Sequence, residues 1–189
     1  MFTLDRFLTF FLCLLTFGSA LAIVSSPIHP VHSNHWTDEY DRHFRKYSKR
    51  YFGPMFNWNW FKAQGIAESG LNETARSPAG AIGVMQILPT TFEEISDKQP
   101  HYIEVESPRW NIAAGIYYDR SMYTRFPTAP EQERLYLALA SYNAGYGRVL
   151  TAFRRAGEKG DWDSVKKHLP SETRGYVSRI RRLMGDSKD

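Results

Sequence analysis

Apolar residues along this chain recur mainly at helical spacing, and no segment shows convincing period-two alternation. Tyr40, Phe44, Tyr47 and Tyr51 follow one another at intervals of three and four, with Arg42, Arg45, Lys46 and Lys49 between them. This predicts an amphipathic helix over 38–52, with Thr37 as N-cap, Asp38 and Glu39 in the first turn and the aromatic stripe against the core. Gly53-Pro54 ends it. Trp58, Trp60, Phe61, Ala63, Ile66 and Ala67 predict a second helix running into Glu68. Residues 70–88 carry Gly70, Pro78, Gly80 and Gly83 without a long period, which predicts a loop or short hairpin. Pro89-Thr90-Thr91 marks a helix start, because proline at the first position has no amide hydrogen to leave unpaired. Residues 97–108 read as loop. Asn111 to Tyr123 and Glu131 to Asn143 are strongly helical, and Tyr146 to Ala156, Trp162 to His168 and Glu172 to Met184 are shorter helical patterns. The fold class expected is mainly α, with roughly seven helices around one core.

The first 22 residues do not fit that pattern. Phe7 to Phe17 is almost wholly apolar, and Gly18-Ser19-Ala20-Leu21-Ala22 ends in Ala-x-Ala, so 1–22 reads as a secretory signal cleaved before Ile23. An uncleaved membrane anchor is the alternative, although the stretch is shorter than the ~20 residues that span a bilayer. Cys13 is the single cysteine and lies in that segment, so the rest of the chain has neither disulfides nor thiol chemistry. Residues 23–36, with Pro27, Pro30, His29, His32 and His35, read as a flexible leader. Pro30 interrupts helix formation there and no carboxylate or cysteine set accompanies the histidines, which argues against a metal site. Net charge is +4 and aromatic content 15%. On an exported protein this favours an anionic polymer or envelope surface over nucleic acid.

Candidate chemistry centres on Glu68. It leaves an apolar helix beside a Gly-rich segment, where desolvation disfavours the charged carboxylate and lets it hold a proton near neutral pH. A protonated carboxylic acid facing a cleft is what glycosidic cleavage requires. Glu73, in a polar Asn-Glu-Thr loop, and Glu93 and Glu94, on a predicted surface helix, read as solvated charge.

Four segments strengthen the reading of Glu68 when taken in order. They are Glu68-Ser69, the run from Ser77 to Gln86 ending in Gly83-Val84-Met85-Gln86, Ala140-Ser141-Tyr142-Asn143-Ala144-Gly145, and Glu172-Thr173-Arg174-Gly175-Tyr176-Val177. In order and spacing they resemble the soluble-lytic-transglycosylase (SLT) family over about residues 55–184. The stretch from Pro130 to Ala140 resembles the membrane-bound lytic transglycosylase F type, without its large N-terminal binding domain. Val84 stands where the family pattern Gly-Leu-Met-Gln has leucine.

The resemblance implies a lysozyme-like fold with a short loop or hairpin beside the cleft, and an activity that needs no metal or cofactor. It implies that Glu68 is the sole catalytic carboxylate, cleaving peptidoglycan without water to give 1,6-anhydro ends. It assigns substrate or positioning contacts to Ser69, Met85, Gln86, Tyr142, Asn143 and Tyr176. The expected organisation is then a signal peptide at 1–22, a leader at 23–36, the docked helix at 37–54 and the catalytic domain at 55–189. The expected partners are periplasmic peptidoglycan strands, with an envelope-spanning assembly as a further candidate, and the expected state is a monomer. A hydrolytic muramidase on the same fold and a non-catalytic peptidoglycan-binding or scaffold module are the alternatives. A hydrolase needs a second carboxylate in the cleft, whereas a pure binder has no use for the acid.

Overall fold

The computed structural model describes residues 28–158 and 160–186. The predicted signal segment lies outside them. Eight helices occur among the described residues: α1 (Asp41–Phe52), α2 (Asn59–Ser69), α3 (Pro89–Ser96), α4 (Pro108–Tyr123), α5 (Glu131–Ala144), α6 (Tyr146–Arg155), α7 (Trp162–Lys166) and α8 (Ser171–Leu183). The β pairing described there consists of isolated bridges, Arg76 with Ile82 and Ile82 with Ile87. The expected mainly α architecture is therefore observed. The chain divides into two compact units, one of residues 28–116 and 179–186, the other Tyr117–Ser178.

In the first unit α1 packs on α2. Phe44 and Tyr47 carry the buried stripe of α1, and Phe61, Ala63 and Ile66 are fully buried on α2. Gly65 makes the close approach work. A Cβ there would lie 3.1 Å from the side chains of both Phe44 and Leu71. Lys62 is buried on α2, and its ammonium meets Asp41 at 2.7 Å, tying α2 to the first turn of α1. Helix α1 starts three residues later than the sequence predicts. Thr37 is not its cap, because its hydroxyl accepts the Glu39 amide in a separate turn. The predicted flexible leader also differs. Residues 28–36 form turns, with Val31 buried and its amide donating to the Leu183 carbonyl at 2.9 Å. The Trp36 indole donates to the His29 carbonyl, and His29 and His35 stack at 4.0 Å. One buried valine and a long-range backbone bond hold what composition alone marks as loop. Helix α4 likewise begins at Pro108, inside the predicted loop, with the Asn111 amide donating to the Ser107 carbonyl.

The second unit is built on α5, which packs on α6 and α7. Leu137, Ala138 and Leu139 are fully buried. Gly145 has φ +82°, and this left-handed residue turns the chain between α5 and α6 at little steric cost. Phe126 packs edge-on against Tyr146 and Phe153. A Glu133 carboxylate oxygen accepts the Trp162 amide at 3.0 Å, and Asp161 caps α7 by accepting the Ser164 amide. That bond holds the Asp161 carboxyl below its usual range.

Candidate active site

Glu68 is the penultimate residue of α2 and is half-buried. Gly70 ends the helix in the left-handed conformation, with φ 66°. Leu71 repeats that φ, a strained choice for a non-glycine residue costing about 1 kcal/mol. Its side chain is 4% exposed, and burying a leucine contributes about 2 kcal/mol, which outweighs the strain. The turn is thus fixed by packing. An α8 residue supports the same end, since the Arg179 guanidinium donates to the Ala67 carbonyl at 3.4 Å. A cation at the carbonyl end of a helix is favourable.

Ser69 connects α2 to the Gly-rich loop. Its hydroxyl donates to the Val84 carbonyl at 2.8 Å and accepts the Asn72 amide at 3.1 Å. The loop is held from its other side by Asn111, which is fully buried on α4. Asn111 Oδ1 accepts the Met85 amide at 2.7 Å, and its Nδ2 donates to the Ile82 carbonyl at 2.9 Å and the Val105 carbonyl at 3.0 Å. One donor and two acceptors around the amide fix its orientation. Gly83 passes so close that a Cβ would lie 2.7 Å from Asn111 Nδ2, and its φ is +78°. Only glycine satisfies both conditions. Gln86 closes the loop from within, its Nε2 donating to the Gly83 and Ala75 carbonyls. Met85 is fully buried, and its side chain fills the space that a side chain at Gly115 would need. A groove-lining Met85 is the expectation from sequence; the structure makes it a support behind the loop. Gln86 is also largely buried, with its amide nitrogen committed to backbone carbonyls.

Tyr142, Asn143 and Tyr176 belong to the second unit. Tyr142 is buried near the end of α5, its ring edge-on to Tyr118 at 5.5 Å. Asn143 follows it, half-buried, and Tyr176 is half-buried on α8. Among the other carboxylates, Glu93 and Glu94 are exposed on α3. Glu73 is exposed, and its charge acts on the Tyr40 phenol. It also lines a cavity of about 370 Å³ with Thr74, Arg76, Ile82, Glu106 and Pro108. Burial, then the Glu73 and Glu39 charges, push the Tyr40 phenol up to about 12. A phenol raised in the folded state adds stability that is full below its unfolded pKa, about 10, and is lost as pH rises through about 12. Urea unfolding at alkaline pH is therefore expected to show a steeper loss of stability in the wild type than in Tyr40→Phe. Equal slopes would count against this coupling.

With this geometry in place, the likenesses to known proteins can be weighed. The family model described as Transglycosylase SLT domain matches residues 46–165, more than half of the chain. The chain belongs to the SLT family. Among SLT relatives, membrane-bound lytic murein transglycosylase F of Vibrio cholerae (strain ATCC 39541 / Classical Ogawa 395 / O395) is 34% identical over 164 residues, covering 74% of this chain and 29% of that protein. The 70 kDa soluble lytic transglycosylase Slt70 of Escherichia coli superposes with a TM-score of 0.65 at 28% identity, over 80% of this chain and 25% of that one. Lytic transglycosylase Slt of Pseudomonas aeruginosa, solved as an inactive Glu→Gln mutant, gives 0.63 at 25% identity, over 79% and 24%. The lysozyme-like SLT fold expected from the motifs is thus present. The chain spans between 24% and 29% of the length of these relatives.

In this SLT chain the structure brings Ser69 and the Gly83–Gln86 loop together directly, with Glu68 on the turn that Ser69 anchors. Asn111 is the residue that sequence reasoning missed. It reads there only as the start of a helix. Its signal was available in one form: a polar residue at the head of the apolar run Ile112-Ala113-Ala114 must find partners when buried.

Proposed function

We propose that this chain is a peptidoglycan lytic transglycosylase, with Glu68 serving in turn as acid and base. The observation that carries this reading is the Glu68-Ser69 end of α2, held by the Ser69–Val84 hydrogen bond to the Gly-Val-Met-Gln loop in an SLT-family chain. Protonated Glu68 gives its proton to the oxygen linking N-acetylmuramic acid to N-acetylglucosamine, and the bond from that oxygen to the anomeric carbon breaks. The muramic acid 6-hydroxyl attacks that carbon, and its proton passes to the Glu68 carboxylate. The product is a 1,6-anhydro sugar, and no water is consumed. An intramolecular nucleophile has a high effective concentration, so one carboxylate suffices for both proton transfers. The reaction starts from the protonated acid, and Glu68 stands half-buried at the end of α2. Ser69 positions the turn, Gln86 offers its remaining acceptor, and Asn143 contacts the glycan. The family resemblance assigns Tyr142 and Tyr176 the role of orienting the acid. The relatives' names, lytic murein transglycosylase and soluble lytic transglycosylase, agree with this chemistry, as does a solved complex of the 70-kDa enzyme with bulgecin A.

The same reading places the protein in the cell envelope, exported by the 1–22 segment and acting as a monomer. Digestion of purified peptidoglycan followed by mass spectrometry tests it. Muropeptides one water lighter than reducing-end products are expected. Reducing ends would make the protein a hydrolase.

A hydrolase would need a second carboxylate, and Glu73, which lines a cavity together with Glu106, is the acid nearest to Glu68 in sequence. Its exposure on a polar loop fits a solvated charge instead. Glu73→Gln is expected to keep cleavage within about threefold of wild type, whereas loss of a catalytic base lowers rate by about 10² or more. Release of soluble muropeptides, measured at equal protein, decides between them.

A further inference from the structure

Helix α1 presents a row of cations that its neighbours hold in place without neutralising. Arg42, Lys46, Lys49 and Arg50 are all exposed, and no acid lies between positions 42 and 52. Asp41, at the head of the helix, is taken by Lys62 and lies 3.9 Å from Arg45. The partners of Arg42, Lys46 and Arg50 are neutral. Arg42 Nε donates to His43, Lys46 lies over the Tyr47 ring, and Arg50 lies over the Tyr51 ring. Arg109, exposed on the first turn of α4, continues the patch. Its Nε donates to the Tyr47 hydroxyl at 3.2 Å, and its guanidinium stacks on Trp110 at 4.1 Å. Among the described residues no ion pair involves Arg42, Lys46, Lys49, Arg50 or Arg109. The nearest acids in sequence to Arg109 are Glu104 and Glu106, and Glu106 faces Arg76 at 3.4 Å. The local field is positive enough to act on His43, which is lowered by burial first and then by Arg42, Arg109 and Lys46.

Arg42, Lys46 and Arg50 stand four residues apart, about 6 Å per step along the helix. This is a line of charge, suited to a linear anion. It leads to Arg109, two residues before Asn111, which holds the loop beside Ser69. We propose that the α1–α4 basic face is a docking surface for the carboxylate-bearing peptide side chains of the peptidoglycan strand. This rests on the function proposed above. Contact with the site through α4 and the linear row favour a strand over a lipid surface. Cations stacked on rings lose less side-chain freedom on binding than free ones, which suits a recognition role.

Co-sedimentation of the full chain carrying Glu68→Gln with insoluble peptidoglycan tests this without turnover. Neutralising Arg42→Gln, Lys46→Gln and Arg50→Gln together is expected to weaken binding about fivefold, the sum of three exposed charge contacts. The loss should shrink at high salt. On glycan strands stripped of their peptides the same variant should bind like its parent. Arg42→Lys with Arg50→Lys should keep binding, which separates lost charge from lost folding. A control with equal charge removed from α6, Arg148→Gln, Arg154→Gln and Arg155→Gln, should bind normally. In the active protein the patch variant should raise KM and leave kcat unchanged. Unchanged binding, an equal loss in the α6 control, or an equal loss on stripped strands overturns the proposal. So does patch-dependent binding to vesicles of anionic phospholipid with none to peptidoglycan. If no version sediments with peptidoglycan, the functional reading fails with it; if all sediment equally, only the docking surface fails.

Discussion

Replacing Glu68 with glutamine is expected to leave peptidoglycan binding intact and to lower cleavage by about four orders of magnitude. Each proton transfer assisted by a positioned group is worth about 10² to 10⁴ in rate, and in the proposed reaction one carboxylate serves both. Glutamine keeps the shape and one acceptor oxygen but can neither donate an acidic proton nor accept one back. The fold should not suffer, because Leu71, Gly70 and the Ser69–Val84 bond set the end of α2 independently of the side chain at 68. Soluble muropeptide release, read beside co-sedimentation and thermal unfolding, separates these effects. Residual cleavage within tenfold of wild type would remove Glu68 from the chemistry. Loss of binding together with cleavage would make its role structural.

Helical periodicity made the helices legible because it records local burial. The apolar run of α5 and the stripe of Tyr40, Phe44 and Tyr47 are visible in sequence since each residue reports its own side of a helix. Helix starts were less legible. Thr37 has a capping side chain, yet it closes its own turn, and α1 waits until Asp41 can meet the buried Lys62. That preference depends on a residue 21 positions away. The 28–36 segment follows the same logic, since its anchor is the Leu183 carbonyl at the other end of the chain.

The candidate site divides along the same line. Glu68 and Ser69 stand out in sequence through the four motifs taken in order, since an acid at a helix end is by itself most often solvated. The motif resemblance also pointed to Met85 and Gln86, as residues lining the groove. The structure buries Met85 behind the loop and commits the Gln86 amide nitrogen to Gly83 and Ala75. A loop with three glycines needs internal support, and here the side chains that look like ligands supply it.

That support makes Asn111 the position with the largest expected effect on stability. In Asn111→Ala the Met85 amide loses its acceptor and the Ile82 and Val105 carbonyls lose their donor. Unpaired buried polar groups cost about 1–3 kcal/mol each, and partial relaxation of the loop brings the expected total to about 3 kcal/mol. For a chain of this size that lowers Tm by about 10 °C. Cleavage should fall as well, mainly in kcat, because the Ser69 acceptor at Val84 lies on the released loop. Asn111→Asp gives the sharper test. Its Oδ1 still accepts the Met85 amide, but the second oxygen faces two carbonyls where an NH₂ group stood. Burial and those carbonyls raise the introduced carboxyl's pKa, since its protonated form can donate where the charged form repels. A group raised in the folded state contributes stability below its unfolded pKa and loses it as pH rises through the folded one. Asn111→Asp is therefore expected to approach wild-type stability near pH 4 and to fall to the level of Asn111→Ala by pH 7, whereas Asn111→Ala should show no such dependence relative to wild type. Urea denaturation across that range measures it, and parallel curves for the two variants would mean that the loop is held by something other than this amide.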